Sequence, residues 1–332
     1  MNWMKLMVIA FFQIARLRVQ ETPNKSGEIK FDQYLAYRDI QHYLNVLKTK
    51  YNEIVEVKNF GMSVENRHLT YIQIGNKTRR NGPLIFIDAG IHAREWISPA
   101  QALYTISQLV ENRNNAAMIK DVDWVIVPLV NPDGYEYSRR VDRFWRKNRA
   151  KGRICYGVDL NRNFDFHWLG HGGSDSECSN FFAGMRPFSE PESFALSRLI
   201  RENSKRIKIY ISFHAAAQSI LYPWGYTKDL PENGKELHKL ATKVSDAVHK
   251  VNFTQYKIGS AANLLYIGSG SSFDWTYAVA NVKLCYTIEL KGVSGGRFKH
   301  RFEIAAEDIL EVVSEMFEGL KELHLYVERK FS

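Results

Sequence analysis

The chain has 332 residues, 45% of them hydrophobic, with 45 lysines and arginines against 36 aspartates and glutamates, and only three cysteines. This excludes a disordered, collagenous, repeat-built or disulfide-dense protein and leaves room for a large core, which we read as one domain. The net charge of +9 does not point to nucleic acid, because basic and acidic residues interleave along the predicted helices at 232–250 and 303–330, as on a solvated surface.

The first apolar run, Leu6 to Phe12 after Lys5, is too short to span a bilayer and resembles a secretory signal, although no clear small-x-small cleavage site follows. We therefore expect residues 1–28 to be a signal-like or residual segment, residues 29–330 to be the folded domain, and the protein to be secreted, with no membrane partner. In a secreted chain Asn24-Lys-Ser26, Asn76-Lys-Thr78 and Asn252-Phe-Thr254 are glycosylation acceptors. Tyr51 to Val57 and His68 to Gly75 read as antiparallel opening strands, and Leu84 to Gly90 as a buried one.

His92 and Glu95 follow where that buried strand runs out into a loop. An imidazole and a carboxylate three positions apart across a turn can reach one cation from the same side, and zinc accepts both donor types. A helix over Pro99 to Asn112 and a buried strand over Val122 to Val130 come next. The cluster Arg139, Arg140, Arg143, Arg146, Lys147 and Arg149 is the densest basic stretch, and an arginine from it near a metal could polarise a carbonyl. Asn161 and Arg162 are adjacent and could together bind a carboxylate, which guanidinium matches in bidentate fashion.

Cys155 and Cys178 flank a glycine-rich, mostly polar stretch, and a bridge between them would stabilise by roughly 3 kcal/mol for a loop of about two dozen residues. Cys285, inside an apolar strand, reads as a buried free thiol. A helix over Pro191 to Asn203 leads to the strand Ile207 to His214. Its imidazole would emerge at the strand's carboxyl end, where open α/β sheets place their ligands. A lone histidine there is ordinarily a hydrogen-bonded core residue, yet it would complete a three-ligand zinc site with an open fourth position. A helix over Glu232 to Val251, the strand Lys283 to Leu290 and a closing helix over Glu303 to Val327 finish the chain. In the closing helix Ile309, Val312, Val313, Met316, Leu320 and Leu323 fall at helical spacing and are core. Glu289 stands near the end of an apolar strand. It is either salt-bridged to Lys291 or at an exposed edge, or it is a general base beside a water acidified by a metal. The alternation predicts an α/β domain with a central mixed, mostly parallel twisted sheet and helices on both faces.

These segments together resemble the zinc metallocarboxypeptidases of the pancreatic A and B type, from about Phe31 to about Leu325. H-A-R-E-W-I-S-P-A carries His92, Arg94 and Glu95; N-P-D-G-Y begins at Asn131; F-W-R-K-N-R carries Arg146; G-V-D-L-N-R-N-F carries Asn161 and Arg162; L-L-Y-I-G-S-G-S-S-F-D-W carries Tyr266; and Y-T-I-E-L carries Glu289. The resemblance implies one zinc held by His92, Glu95 and His214, with Glu289 as base and Arg146 polarising the carbonyl. It also implies Arg94 as an auxiliary contact, Asn161, Arg162 and Tyr266 as the carboxylate anchor, and a disulfide at Cys155 and Cys178. The substrates so implied are peptides with a free carboxyl terminus, cut by a monomer.

The family's side-chain pocket maps onto Phe273 at the floor, with Gly225, Ala261, Gly268 and Thr287 on the walls, where the basic-specific branch carries an aspartate at the floor. An unpaired Lys or Arg would be desolvated there, so the expectation is an apolar or aromatic terminal residue, with the bulk of Phe273 favouring smaller ones. Two departures stand out. Ala215-Ala216-Ala217 replaces the family's usual Ser-Tyr after the third ligand, and only about 28 residues precede the match, too few for an independent activation domain. Either no such domain is made or the sequence is partial. An inactive zinc-binding peptide-recognition protein and a zinc amidohydrolase acting on small acylated amino acids stay open as alternatives.

Overall fold

The computed structural model describes residues 29–78, 81–295 and 298–332; the signal-like segment and Asn24 lie outside them. Eight strands form one sheet: β1 (Val55–Met62), β2 (His68–Ile74), β3 (Leu84–Ala89), β4 (Asp123–Val127), β5 (Ile207–Ala215), β6 (Ser219–Tyr222), β7 (Lys257–Ser260) and β8 (Cys285–Leu290). Their order is β1-β2-β4-β3-β5-β8-β6-β7. The centre, β4-β3-β5-β8, is parallel throughout, as is β6 with β7, while β1-β2, β2-β4 and β8-β6 are antiparallel. β3 and β4 are buried from end to end because helices cover them, and β5 and β8 are buried but for Lys208 and Glu289, which are half-buried.

The helices are α1 (Tyr37–Lys50), α2 (Ile97–Val110), α3 (Pro132–Arg140), α4 (Pro191–Asn203), α5 (Gly234–Asn252), α6 (Ala261–Leu264), α7 (Ser272–Ala278) and α8 (Ile309–Phe331). α8 packs against α2 and α5 as one layer over the sheet, while α7 packs against β5 and β8 and touches α4, which lies on β1. The even-numbered residues of β5 face α7, Tyr210 lying beside Ser272 and Asp88. The odd-numbered ones share their face with Tyr286, whose hydroxyl donates to the Leu237 carbonyl in α5. Ile309, Val312, Val313, Met316, Leu320 and Leu323 are all buried, as their spacing predicts.

Some expectations need correction. The first strand is not Tyr51 to Val57 but Val55–Met62, because the turn that stops α1 holds residues 51–54, with the Tyr51 and Val55 amides donating to Leu47 and Tyr51. The closing helix starts at Ile309 rather than Glu303, after two turns of tighter 3-10 helix. Helices α1, α3, α6 and α7 and strands β6 and β7 are additional to the sequence reading. Cys155 and Cys178 form a disulfide with their Cα atoms 5.1 Å apart, and Cys285 is free and buried. No helix among the described residues is long and apolar enough to cross a membrane.

Candidate active site

Parallel register builds the site. β5 pairs with β8 so that His214 lies opposite Glu289, Ser212 opposite Thr287 and Tyr210 opposite Cys285. The carboxyl ends of two neighbouring strands therefore deliver an imidazole and a carboxylate side by side. β3 lies on the other flank of β5, and its exit turns at Gly90, where φ is +68° and an added Cβ would stand 2.6 Å from Leu129 Cδ1. Only glycine fits that conformation and that space. The turn brings His92 and Glu95 over the end of β5.

The loop after β3 is stitched to the segment that carries Arg146. The Ala93 amide donates to the Arg146 carbonyl at 3.0 Å. Asn131 accepts from the Gly134 amide to cap α3, while its side-chain nitrogen donates to the carbonyls of Ile91, at 3.2 Å, and Lys147, at 3.1 Å. One capping residue thus fixes two functional loops at once.

Three donor atoms converge. His92 Nδ1 lies 2.8 Å from Glu95 Oε1, His214 Nδ1 lies 3.1 Å from Glu95 Oε2, and the two Nδ1 atoms are 3.1 Å apart. A tetrahedral zinc with bonds of about 2.0–2.2 Å needs donors roughly 3.3 Å apart, so the set fits zinc with little adjustment. All three residues are buried, and they are the one group among the described residues that could hold a metal in this way. Burial lowers the pKa of His92, and the Arg146 cation lowers it further, which keeps its lone pair available. Burial alone would raise Glu95, but the two imidazoles hold it below the ordinary carboxylate range. His214 is raised despite burial, because Glu95 stabilises its charged form.

Asp159 is a residue the sequence reading missed. It is fully buried, its Oδ1 lies 3.2 Å from His92 Nε2, and its Oδ2 accepts from Arg146 Nε at 3.0 Å. One carboxylate therefore orients the imidazole from behind and aims the guanidinium, whose Nη1 lies 3.3 Å from His92 Nδ1. Burial opposes its charge, yet Arg146 and then His92 keep Asp159 ionised well below the usual range. The available signal was its position two residues before Asn161 in G-V-D-L-N-R.

Glu289 makes no pair with Lys291, which turns away to Glu311 at 2.6 Å and Glu315 at 3.6 Å. Burial pushes Glu289 up to about 7, with the charge of Glu95 adding to the effect. A cation at the three donors would oppose both. On the next wall Arg162 donates to the carbonyls of Gly172, at 3.0 Å, and Asn161, at 2.7 Å, and to the Tyr266 hydroxyl, at 3.3 Å. Asn161 Oδ1 accepts from the Ser272 amide at 2.9 Å, which leaves its NH2 group for the pocket. Arg94 is buried with its guanidinium stacked 4.6 Å from the Phe302 ring centre.

A cavity of about 350 Å³ unites these groups with Phe273, Ala261, Gly268, Gly225 and Thr287. Phe273 lies beneath Gly225, where an added Cβ would stand 3.3 Å from its Cζ, and Gly268 lies close over Arg162. The nearest carboxylate beside this floor, Asp274, accepts from the amides of Gly225 and Tyr226 at 3.0 Å each, and burial pushes it up to about 7. Thus every residue the sequence singled out for the site lines one cavity, and Arg301 and Phe302 join it unforeseen.

Residues 40–319 match the family model described as zinc carboxypeptidase. Carboxypeptidase B of Astacus astacus is 39% identical over 303 residues, covering 90% of this chain and 98% of that protein. Carboxypeptidase A2 of Rattus norvegicus is 32% identical, covering 91% of this chain and 72% of that protein. Among solved structures, carboxypeptidase A from Helicoverpa armigera superposes with a TM-score of 0.88 at 31% identity, covering 93% of this chain and 77% of that one. Bovine thrombin-activatable fibrinolysis inhibitor, in complex with tick carboxypeptidase inhibitor, gives 0.84 at 34% identity, covering 90% and 99%. The chain therefore belongs to the zinc carboxypeptidase family, metallo-exopeptidases that use one zinc ion to remove residues from the carboxyl end of peptides.

Proposed function

We propose that Glu289 is the general base of this exopeptidase and that the pocket above Phe273 selects apolar or aromatic terminal residues. The observation that carries the first part is the pairing of His214 with Glu289 in the sheet, which sets a carboxylate not neutralised by Lys291 beside the three metal donors. His92, Glu95 and His214 would hold the zinc ion, which when bound would supply a Lewis acid to polarise a carbonyl and acidify water. Glu289 takes the proton from the attacking water and returns it to the leaving amine. Arg146, aimed by Asp159, donates to the oxygen where negative charge develops. Asn161, Arg162 and Tyr266 hold the terminal carboxylate, and Arg94 supports the substrate beside them.

The names of the relatives divide between A and B types, so specificity rests on the pocket. Its floor is Phe273, its walls are Gly225, Ala261, Gly268 and Thr287, and Asp274 is committed to backbone amides. A terminal Lys or Arg would lie there without a partner. Peptides ending in Leu or Phe should show higher kcat/KM than those ending in Arg or Lys; the reverse order would refute the assignment. Arg162→Ala should discriminate against free carboxyl termini, and equal cleavage of amidated peptides would refute the anchor. The Cys155–Cys178 disulfide supports a secreted protein.

A further inference from the structure

One wall of the cavity has no side chain assigned in the roles above, although the Ala215 amide donates to Glu95 Oε2 at 3.2 Å. It is formed by Ala215, Ala216 and Ala217, directly after the third metal donor, together with Arg301 and Phe302. The three alanines leave open space beside the metal donors, and none of these five residues is acidic. Arg301 is exposed, and its guanidinium has no carboxylate partner among the described residues.

The backbone beneath that guanidinium is held firmly. The Val293 amide donates to the Arg301 carbonyl at 3.1 Å, and Gly292 is wedged so tightly that an added Cβ would stand 2.5 Å from both Ala216 Cβ and the Arg301 carbonyl oxygen. On the other side, Arg143 donates to the Phe302 carbonyl and also to the Arg94 carbonyl at 2.8 Å, while the Arg94 guanidinium covers the Phe302 ring. Arg301 therefore lines the cavity as an exposed cation on a fixed strip of chain, its carbonyl packed with Ala216 around Gly292.

We propose that Arg301 makes this enzyme prefer substrates carrying an aspartate or glutamate one or two residues upstream of the scissile bond. The inference rests on the exopeptidase reading. With the terminal side chain over Phe273 and its carboxylate on Arg162, the preceding residues leave past the metal donors along the alanine wall. A carboxylate there pairs with Arg301, whereas a lysine meets an unneutralised guanidinium with Arg94 behind it. An exposed ion pair gives a modest preference, about fivefold in kcat/KM for Glu over Lys.

The test uses N-blocked tetrapeptides ending in Leu, with Glu, Gln or Lys at the penultimate or antepenultimate position, and follows release of leucine by the zinc-loaded full chain. The expected order is Glu above Gln above Lys at one of those positions, with the Glu/Lys ratio collapsing toward one in Arg301→Gln and inverting in Arg301→Glu. Inversion on charge reversal separates recognition from a merely structural role, whatever happens to the overall rate. A wild-type ratio at or below one at both positions, or a ratio that Arg301→Glu leaves unchanged, overturns the proposal. If no peptide releases leucine, the exopeptidase reading itself fails.

Discussion

His92, Glu95, His214 and Arg146 are between 1% and 5% exposed, whereas Tyr266, in the same cavity, is 52% exposed and Arg301 lies open on the rim. The buried groups are tied to strand ends or to each other through Asp159 and Glu95. Tyr266 stands on a loop and meets Arg162 through its hydroxyl and through its ring, whose centre lies 5.8 Å from the guanidinium carbon. Bond cleavage needs donors that are in place before the substrate arrives, because any reorganisation adds to the barrier. Recognition of a chain end needs an entrance, and so its groups sit where solvent can leave and a peptide can pass.

If that division is real, breaking the buried half should be catastrophic and breaking the open half mild. The largest effect should come from the metal donors. His214→Ala, or prolonged chelation of the wild type, should abolish peptide hydrolysis, with zinc stoichiometry falling toward zero by elemental analysis while far-ultraviolet circular dichroism persists. An active, metal-free protein would break the comparison at its root. Glu289→Gln comes next. Loss of a general base costs about 10²- to 10⁴-fold, so kcat should fall by that range with zinc content unchanged. A mutant with near wild-type kcat would take Glu289 out of the proton-transfer role.

Asp159→Asn sharpens the comparison, because this residue touches ligand and guanidinium without facing substrate. An amide in its place can no longer balance Arg146 or orient the His92 ring through a charged acceptor. Outer groups of this kind are worth about 10- to 100-fold in metal affinity, measurable by competition with a chromophoric chelator. Unchanged affinity would mean that the loop after β3 positions His92 unaided.

The way Asp159 escaped notice shows where sequence reading stops. Strands β3, β4, β5 and β8 and helices α2, α4, α5 and α8 were legible because burial imposes a long apolar run or a helical period on their residues. His92, Glu95, His214, Arg146, Asn161, Arg162 and Glu289 were legible from residue type and spacing, whereas Arg94, Tyr266, Phe273 and the pocket walls came only with the family resemblance. Asp159 offered only its place two residues before Asn161, and its importance lies in two contacts, to residues 67 and 13 positions away. Strands β6 and β7 and helix α6 have four residues each, too few to display a period. Helix α1 carries one, with Ile40, Tyr43, Leu44 and Leu47 all buried, and the turn that ends it takes residues 51–54 away from the first strand.

The smallest effect should come from Tyr266→Phe. Its hydroxyl lies 3.3 Å from Arg162 Nη2, and Arg162 keeps two carbonyl partners without it, so the carboxylate anchor stays in place when the hydroxyl is removed. What is lost is one solvent-exposed hydrogen bond to the substrate carboxylate, worth about 0.5–1.5 kcal/mol, or roughly two- to tenfold. That loss should appear in KM, with kcat nearly unchanged, because an anchor that grips ground state and transition state alike contributes only uniform binding. A fall in kcat comparable to that of Glu289→Gln would place the Tyr266 hydroxyl in proton transfer, and the open half of the cavity would then share the chemistry that its exposure argues against.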